Sequence, residues 1–313
     1  MAIKIGSPKG LYYYSYFTFI KTFFKELGIE IIFSPDTDKA IFEEGLMCSE
    51  SELCLPVKTY IGHVSTLSRL VDMQFVFSYA SIERKKWTCP KIMMANQMAV
   101  IDNPKLKLLE LPILIRNSTT PVFAFRNIFR KFIGSIINIE TKMIDLAFAK
   151  ALKNQMQFQK NLIIPKISEK SRINIAVIGH PYVLWDNYLN MNIFNKLAAL
   201  GISYATTDNI AFAAKRSQVK KLNLPREMSW TPCEEIMGSA LHFASQPDID
   251  GIIFLSMFGC GFDPISEELI SDYIKRSFKK PFIKILIDEH TSQVNFDTKL
   301  SAFTDTIMWT KNT

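Results

Sequence analysis

The stretch IKIGSPKGLYYYSYFTFIKTFFKELGIEIIF, residues 3–33, contains one full cycle of the fold. IKIG reads as a short strand. YYYSYFTFIKTFFKELG then places apolar side chains at helical spacing and stops at Gly28. IEIIF follows as a second β-rich run. Strand, helix, strand in that order is the opening of a parallel α/β sheet, because two parallel neighbours need a crossover between them.

The pattern continues along the chain. Residues 36–47 and 56–70 read as helices, VDMQFVFS at 71–78 as a buried strand, LELPILI at 109–115 as another, and about 138–160 as a long amphipathic helix. NLIIPKISEKSR at 161–172 carries a proline and turns polar, so a domain boundary is expected at 165–172, dividing the chain into lobes 1–168 and 169–313. The second lobe repeats the order. INIAVIG is a strand, 187–200 a helix, ISYAT a strand, 232–245 a helix, DIDGIIFLS a strand, 265–278 a helix and PFIKILID a strand before a last helix. The expected fold is α/β: two Rossmann-like or flavodoxin-like lobes with mostly parallel sheets and a cleft between them.

Composition sets the outer bounds. With 313 residues, 48% hydrophobic and 21% charged, the chain has enough apolar material for two cores and no disordered character. The opening MAIKIGSPKG lacks a signal-peptide core, and no run of about 18 apolar residues spans a membrane. A cytoplasmic protein without membrane contact is expected. The net charge of +7 is spread thinly, and the runs ERKK at 83–86 and AKRSQVKK at 214–221 read as solvated faces rather than a nucleic-acid groove. There is no GxGxxG and no GxxxxGK[ST], which argues against a dinucleotide fold motif and an ATPase loop.

Five cysteines remain to be explained. In a reducing compartment they are free thiols, metal ligands or redox groups rather than a disulfide framework. Cys54 in ELCLPVK, Cys89 in WTCPK and Cys260 in FGCGFD each lie at a loop edge beside Pro or Gly. Thiols at the carboxyl ends of strands are placed to hold a metal or an iron–sulfur cluster, while burial as small apolar residues is the other reading. Cys48 in GLMCSES and Cys233 in SWTPCEE sit at a helix end and in a helix first turn, and both read as structural.

At these residues the chain resembles the acyl-CoA dehydratase activase-related proteins, a domain of unknown function associated with activators of 2-hydroxyacyl-CoA dehydratases. The resemblance runs through residues 5–35, ESELCLPVKTYIGHV, WTCPK, GHPYVLWDNYLNMNIF, DIDGIIFLSMFGCGFDP and ILIDEHT. The plan is also distantly similar to the 2-hydroxyacyl-CoA dehydratase subunits and the double-cubane cluster proteins. The resemblance implies that Cys54, Cys89 and Cys260 ligate an iron–sulfur cluster, 4Fe-4S or double cubane, with one iron open and oxygen-sensitive. It further implies low-potential electron transfer or reductive chemistry under anaerobic conditions, with an ATP-hydrolysing activator as partner. The alternatives are a direct dehydratase or reductase acting on a small molecule or acyl-CoA, and a scaffold joining activator to client. FGCGFDP departs from the usual family form, which has Pro before the Asp and Ser after it.

Further candidates flank these motifs. His63 in IGHVS and His180 in IGHPY are expected either to donate to cluster sulfur or to be satisfied by nearby backbone. Lys58 is read as a counter-charge for a cluster or a solvated surface lysine, with Glu52 on the other side of Cys54. Glu289 and His290 in DEHT form a proton-transfer pair or a hydrogen-bonded edge. The aromatic run Tyr12, Tyr13, Tyr14, Tyr16, Phe17 and Phe19 is expected in the core.

Overall fold

The computed structural model describes residues 4–81, 83, 85–114, 121–136, 139–163, 167 and 171–312. The chain divides into two compact units, Met1–Asn161 and Leu162–Thr313. The expected lobe limit at 168 and 169 falls outside the described residues.

In the first unit, β1 (Ile5–Ser7), α1 (Tyr13–Glu26), β2 (Ile31–Phe33), α2 (Lys39–Met47), α3 (Leu55–Ser68) and β3 (Met73–Ser81) follow one another. They are succeeded by α4 (Pro90–Met93), α5 (Ala95–Asp102), β4 (Leu108–Leu114), α6 (Pro121–Ile136) and α7 (Thr141–Leu162). The second unit runs β5 (Asn174–Ile178), α8 (Pro181–Leu184), α9 (Ile193–Ala199), β6 (Ser203–Thr206) and α10 (Phe212–Lys220). Then come α11 (Thr231–Ala244), β7 (Gly251–Met257), α12 (Asp263–Ser277), β8 (Phe282–Ile287) and α13 (Gln293–Asn312).

Each unit holds a four-stranded sheet, ordered β2-β1-β3-β4 and β6-β5-β7-β8, with every pairing parallel. The first lobe and the second are therefore α/β in the same doubly wound order. In both, the order reverses between the first and third strands, so the crevice at their carboxyl ends is the switch point where such sheets take ligands. The β5 and β7 strands are buried along nearly all their length, as parallel strands covered on both faces must be.

The first core is largely aromatic. Phe19, Phe23, Phe24, Phe75, Phe129 and Phe148 are buried together, with Tyr12 and Tyr16 packed against them. Phe23 meets Phe129 edge-on at 4.9 Å, and Phe24 meets Phe75 at the same separation. Most of the aromatic run at the start of α1 is thus spent on packing.

Two departures from the sequence reading stand out. The helices α4, α5, α6, α8 and α10 lie outside those read from the sequence. Lys58, Lys86 and Lys215, expected on solvated faces, are buried, at 6%, 7% and 5% exposure. Lys58 and Lys215 are covered because their helices are crossed at close range. A Cβ on Gly45 of α2 would overlap the Lys58 carbonyl of α3, one on Gly62 of α3 would overlap the Ile41 carbonyl, and one on Gly238 of α11 would overlap the Lys215 carbonyl of α10. Backbone approach of that kind buries whatever lies on the contacting face, a lysine stem included. The α2–α3 crossing is fastened at its far end by Arg69, whose guanidinium donates to both Glu44 carboxylate oxygens at 2.6 and 2.7 Å. Among the described residues, no helix is long and apolar enough to cross a membrane.

Candidate functional site

In the second unit the end of β5 runs straight into Gly179 and His180, and His180 is the N-cap of α8, with Pro181 in its first turn. Proline tolerates that position because its missing N–H would be unsatisfied anyway. The neighbouring strand β7 ends at Met257, and the tight turn Phe258–Gly259–Cys260–Gly261 follows, with Gly259 at φ 79°. Only a glycine takes that backbone without strain. Phe262 is then the N-cap of α12, and Asp263 its first residue.

These loops converge at the switch point. The ligand atoms of His180, Cys260 and Asp263 all lie within 4.8 Å of one another. His180 Nε2 and Asp263 Oδ1 are 3.0 Å apart, with 5% and 1% of these residues exposed. Cys260 hydrogen-bonds with both, and Ser256, at the end of β7, with Asp263. Burial alone would push the His180 imidazole down; the Asp263 carboxylate, together with the hydrogen bonds to Asp263 and Cys260, outweighs it and holds its pKa well above the ordinary histidine range. Burial likewise opposes the Asp263 charge, yet His180 keeps its pKa below the usual carboxylate value. Close by, burial raises the pKa of Glu235 on α11, in the field of Lys215, Asp208 and His180. The site is thus a buried imidazole–carboxylate pair with a partly exposed thiol against it, drawn from the ends of two adjacent strands.

In the first unit, two more thiols sit at helix starts on the carboxyl edge of the sheet. Cys54 is the N-cap of α3, with Pro56 in its first turn, and Cys89 is the N-cap of α4, before Pro90; neither thiol caps its own helix. Their loops are tied together, since Lys91 Nζ donates to the Glu52 carbonyl at 2.6 Å. Tyr12 bonds through its hydroxyl to Thr88 Oγ1 at 2.8 Å, holding the residue before Cys89 against the start of α1. Asn96 accepts from the Tyr60 hydroxyl at 2.7 Å and donates to the Phe77 carbonyl.

The two units place a cysteine alike. Cys89 follows β3 and opens α4; Cys260 follows β7 just ahead of α12. Cys48 is the C-cap of α2, and Cys233 is buried in the first turn of α11. His63 lies within α3, fully buried, with its Nδ1 2.9 Å from Ser34 Oγ and its Nε2 2.9 Å from Thr37 Oγ1. Glu289 and exposed His290 lie in the turn after the edge strand β8, where Asp288 Oδ1 accepts from the His290 N–H and from Thr291 Oγ1. Asp263 was not singled out from the sequence. Its signal was present in FGCGFDP: an Asp before a proline, three residues past a cysteine, marks a carboxylate in a helix first turn beside the thiol.

Comparison with solved structures gives loose overlaps. The chain is similar to the SBP FpvC of Pseudomonas aeruginosa in complex with Mn2+, at 11% identity over 98% of this chain and 97% of that one, TM-score 0.33. It is similar to a Zn(II)-bound mutant variant of AdcAII of Streptococcus pneumoniae, at 11% identity over 97% and 99%, TM-score 0.29. The glutamate racemase isoform RacE1 of Bacillus anthracis overlaps at 12% identity over 96% and 82%, TM-score 0.23. Overlaps this loose carry no functional argument. No curated protein matches. Residues 4–210, which include Cys54, Cys89, His63 and His180 and stop short of Cys260, match the profile described as the CoA enzyme activase uncharacterised domain, and the chain belongs to that family.

Proposed function

We propose that this protein is an iron–sulfur component of a CoA-enzyme activation system, using Cys54, Cys89 and Cys260 as cluster ligands. The observation that carries the reading is the pair of cysteines at the starts of α3 and α4, with their loops joined by Lys91. Thiolate is the donor that iron–sulfur clusters select, and helix amino termini supply the positive field that offsets cluster charge. Cys260 occupies the corresponding loop of the second unit, with an imidazole and a carboxylate against it.

The cluster would supply low-potential electron transfer or reductive chemistry. The chain's own part is to hold the thiolates and present hydrogen-bond donors. The partner in this reading is an ATP-hydrolysing activator that loads the electron. The test is iron and acid-labile sulfide per chain after strictly anaerobic purification. About four irons are expected for a single cube and about eight for a double one. The metal should be lost in Cys54→Ser, Cys89→Ser and Cys260→Ser but kept in Cys48→Ser and Cys233→Ser. Absence of iron after chemical reconstitution, or iron retained in all three ligand variants, refutes the reading.

A further inference from the structure

We infer that the second unit holds a mononuclear site for a thiophilic divalent cation of the zinc or ferrous class, formed by His180, Cys260 and Asp263. The inference goes beyond the cluster reading and does not depend on it. Cys260 serves one occupant at a time, so the ion belongs to the cluster-free protein.

Geometry selects a single ion. In a tetrahedral site with bonds of about 2.0–2.3 Å, neighbouring donor atoms are about 3.3–3.6 Å apart. The three donors here fall within 4.8 Å of one another, and Nε2 and Oδ1 are 3.0 Å apart. Small side-chain adjustments bring them to a common centre, the ion displacing to solvent the proton held between His180 and Asp263 and the proton of the Cys260 thiol. Ligands on separate irons of a cube stand farther apart, roughly 6 Å, because cluster edges and Fe–S bonds intervene.

Chemistry selects the class of ion. One sulfur, one nitrogen and one oxygen donor suit zinc or ferrous iron and not the hard cations magnesium and calcium, which take oxygen alone. The frame is rigid. His180 and Cys260 come from the ends of hydrogen-bonded neighbours β5 and β7, and Asp263 is anchored at the start of α12 with Ser256 as a further partner. Cys260 is the partly exposed member, so the ion enters past the thiol and a fourth position is left for water or a substrate oxygen.

The test is a Co2+ titration of chelated, cluster-free full-length protein under anaerobic conditions. One equivalent of Co2+ should produce a thiolate-to-cobalt charge-transfer band with visible bands of tetrahedral intensity, displaced by Zn2+. The spectrum should persist in Cys54→Ser and Cys89→Ser, vanish in Cys260→Ser, and need at least about tenfold more Co2+ in His180→Gln. A second measurement does not depend on variants: bound Co2+ or Zn2+ should protect Cys260 of the wild type from alkylation, read by mass spectrometry. No charge-transfer band in the wild type, a band that survives Cys260→Ser or is lost with Cys54→Ser, or no protection of Cys260 overturns the site. Iron counting in the Cys54 and Cys89 variants tests the cluster separately, so either reading can fail alone.

Discussion

His63 gives a prediction whose size follows from its surroundings. It is fully buried on α3 and clasped between the hydroxyls of Ser34 and Thr37. Burial, reinforced by the nearby Lys9 ammonium and only partly offset by Asp36 and Asp38, pushes its pKa from 6.5 down to about 3. A histidine depressed in the folded state binds its proton more readily when unfolded. Its contribution to stability is therefore complete above pH 6.5 and is lost progressively as pH falls from 6.5 toward 3. At pH of about 5 the unfolded chain gains about 2 kcal/mol from protonating this residue, while the folded unit gains almost nothing.

The assay is hydrogen exchange of α3 and of the segment 34–37, measured by mass spectrometry at pH of about 7.5 and 5 after correction for intrinsic exchange, in wild type and His63→Asn. Exchange reads the first unit without assuming that both units unfold together. Wild type should lose about 2 kcal/mol of protection relative to the variant across that interval. Taking the difference cancels every other titrating group, including His180. Equal pH slopes in the two proteins would refute the claim that His63 is held neutral by burial. Because Cys54 is the N-cap of α3, the same loss of protection should loosen that thiol at low pH.

Other outcomes follow from the packing. Gly62→Ala puts a methyl group into the Ile41 carbonyl at the α2–α3 crossing and should cost about 3 kcal/mol in denaturant unfolding of the first unit. Gly134→Ala, whose nearest neighbour is Ile144 Cδ1 at 4.0 Å, should instead be neutral or stabilise α6 by about 0.5–1 kcal/mol. Asn96→Ala should cost about 3 kcal/mol, because it strands the buried Tyr60 hydroxyl and the Phe77 carbonyl. Tyr60→Phe in the Asn96→Ala background should then recover part of that loss, and a strictly additive double variant would show that the two side chains are not coupled.

Local sequence was enough to determine the α/β class and its strands. Strand and helix alternate with periods of 2 and 3.6 whatever surrounds them, so runs such as INIAVIG and TFIKTFFKELG declare their type locally, and strands in β–α–β order close into parallel sheets. Prolines after Cys54, Cys89 and His180 likewise mark helix starts, because a missing N–H is tolerated only there. The start of α3 was therefore read directly, whereas the single turns α4 and α8, which begin at the same signal after Cys89 and His180, are too short to show a helical period. Tertiary structure alone decided the rest. Lys58 and Lys215 carry the same charge as any surface lysine, and only the glycine-mediated crossings of α2 with α3 and of α10 with α11 bury them. His63 could be assigned hydroxyl partners only once the loop at 34–37 lay across α3. His180 and Asp263 are 83 residues apart, and they meet because the sheet order puts β5 next to β7. No periodicity encodes that adjacency, since which strands become neighbours is settled by the packing of the whole unit and not by any local run of residues.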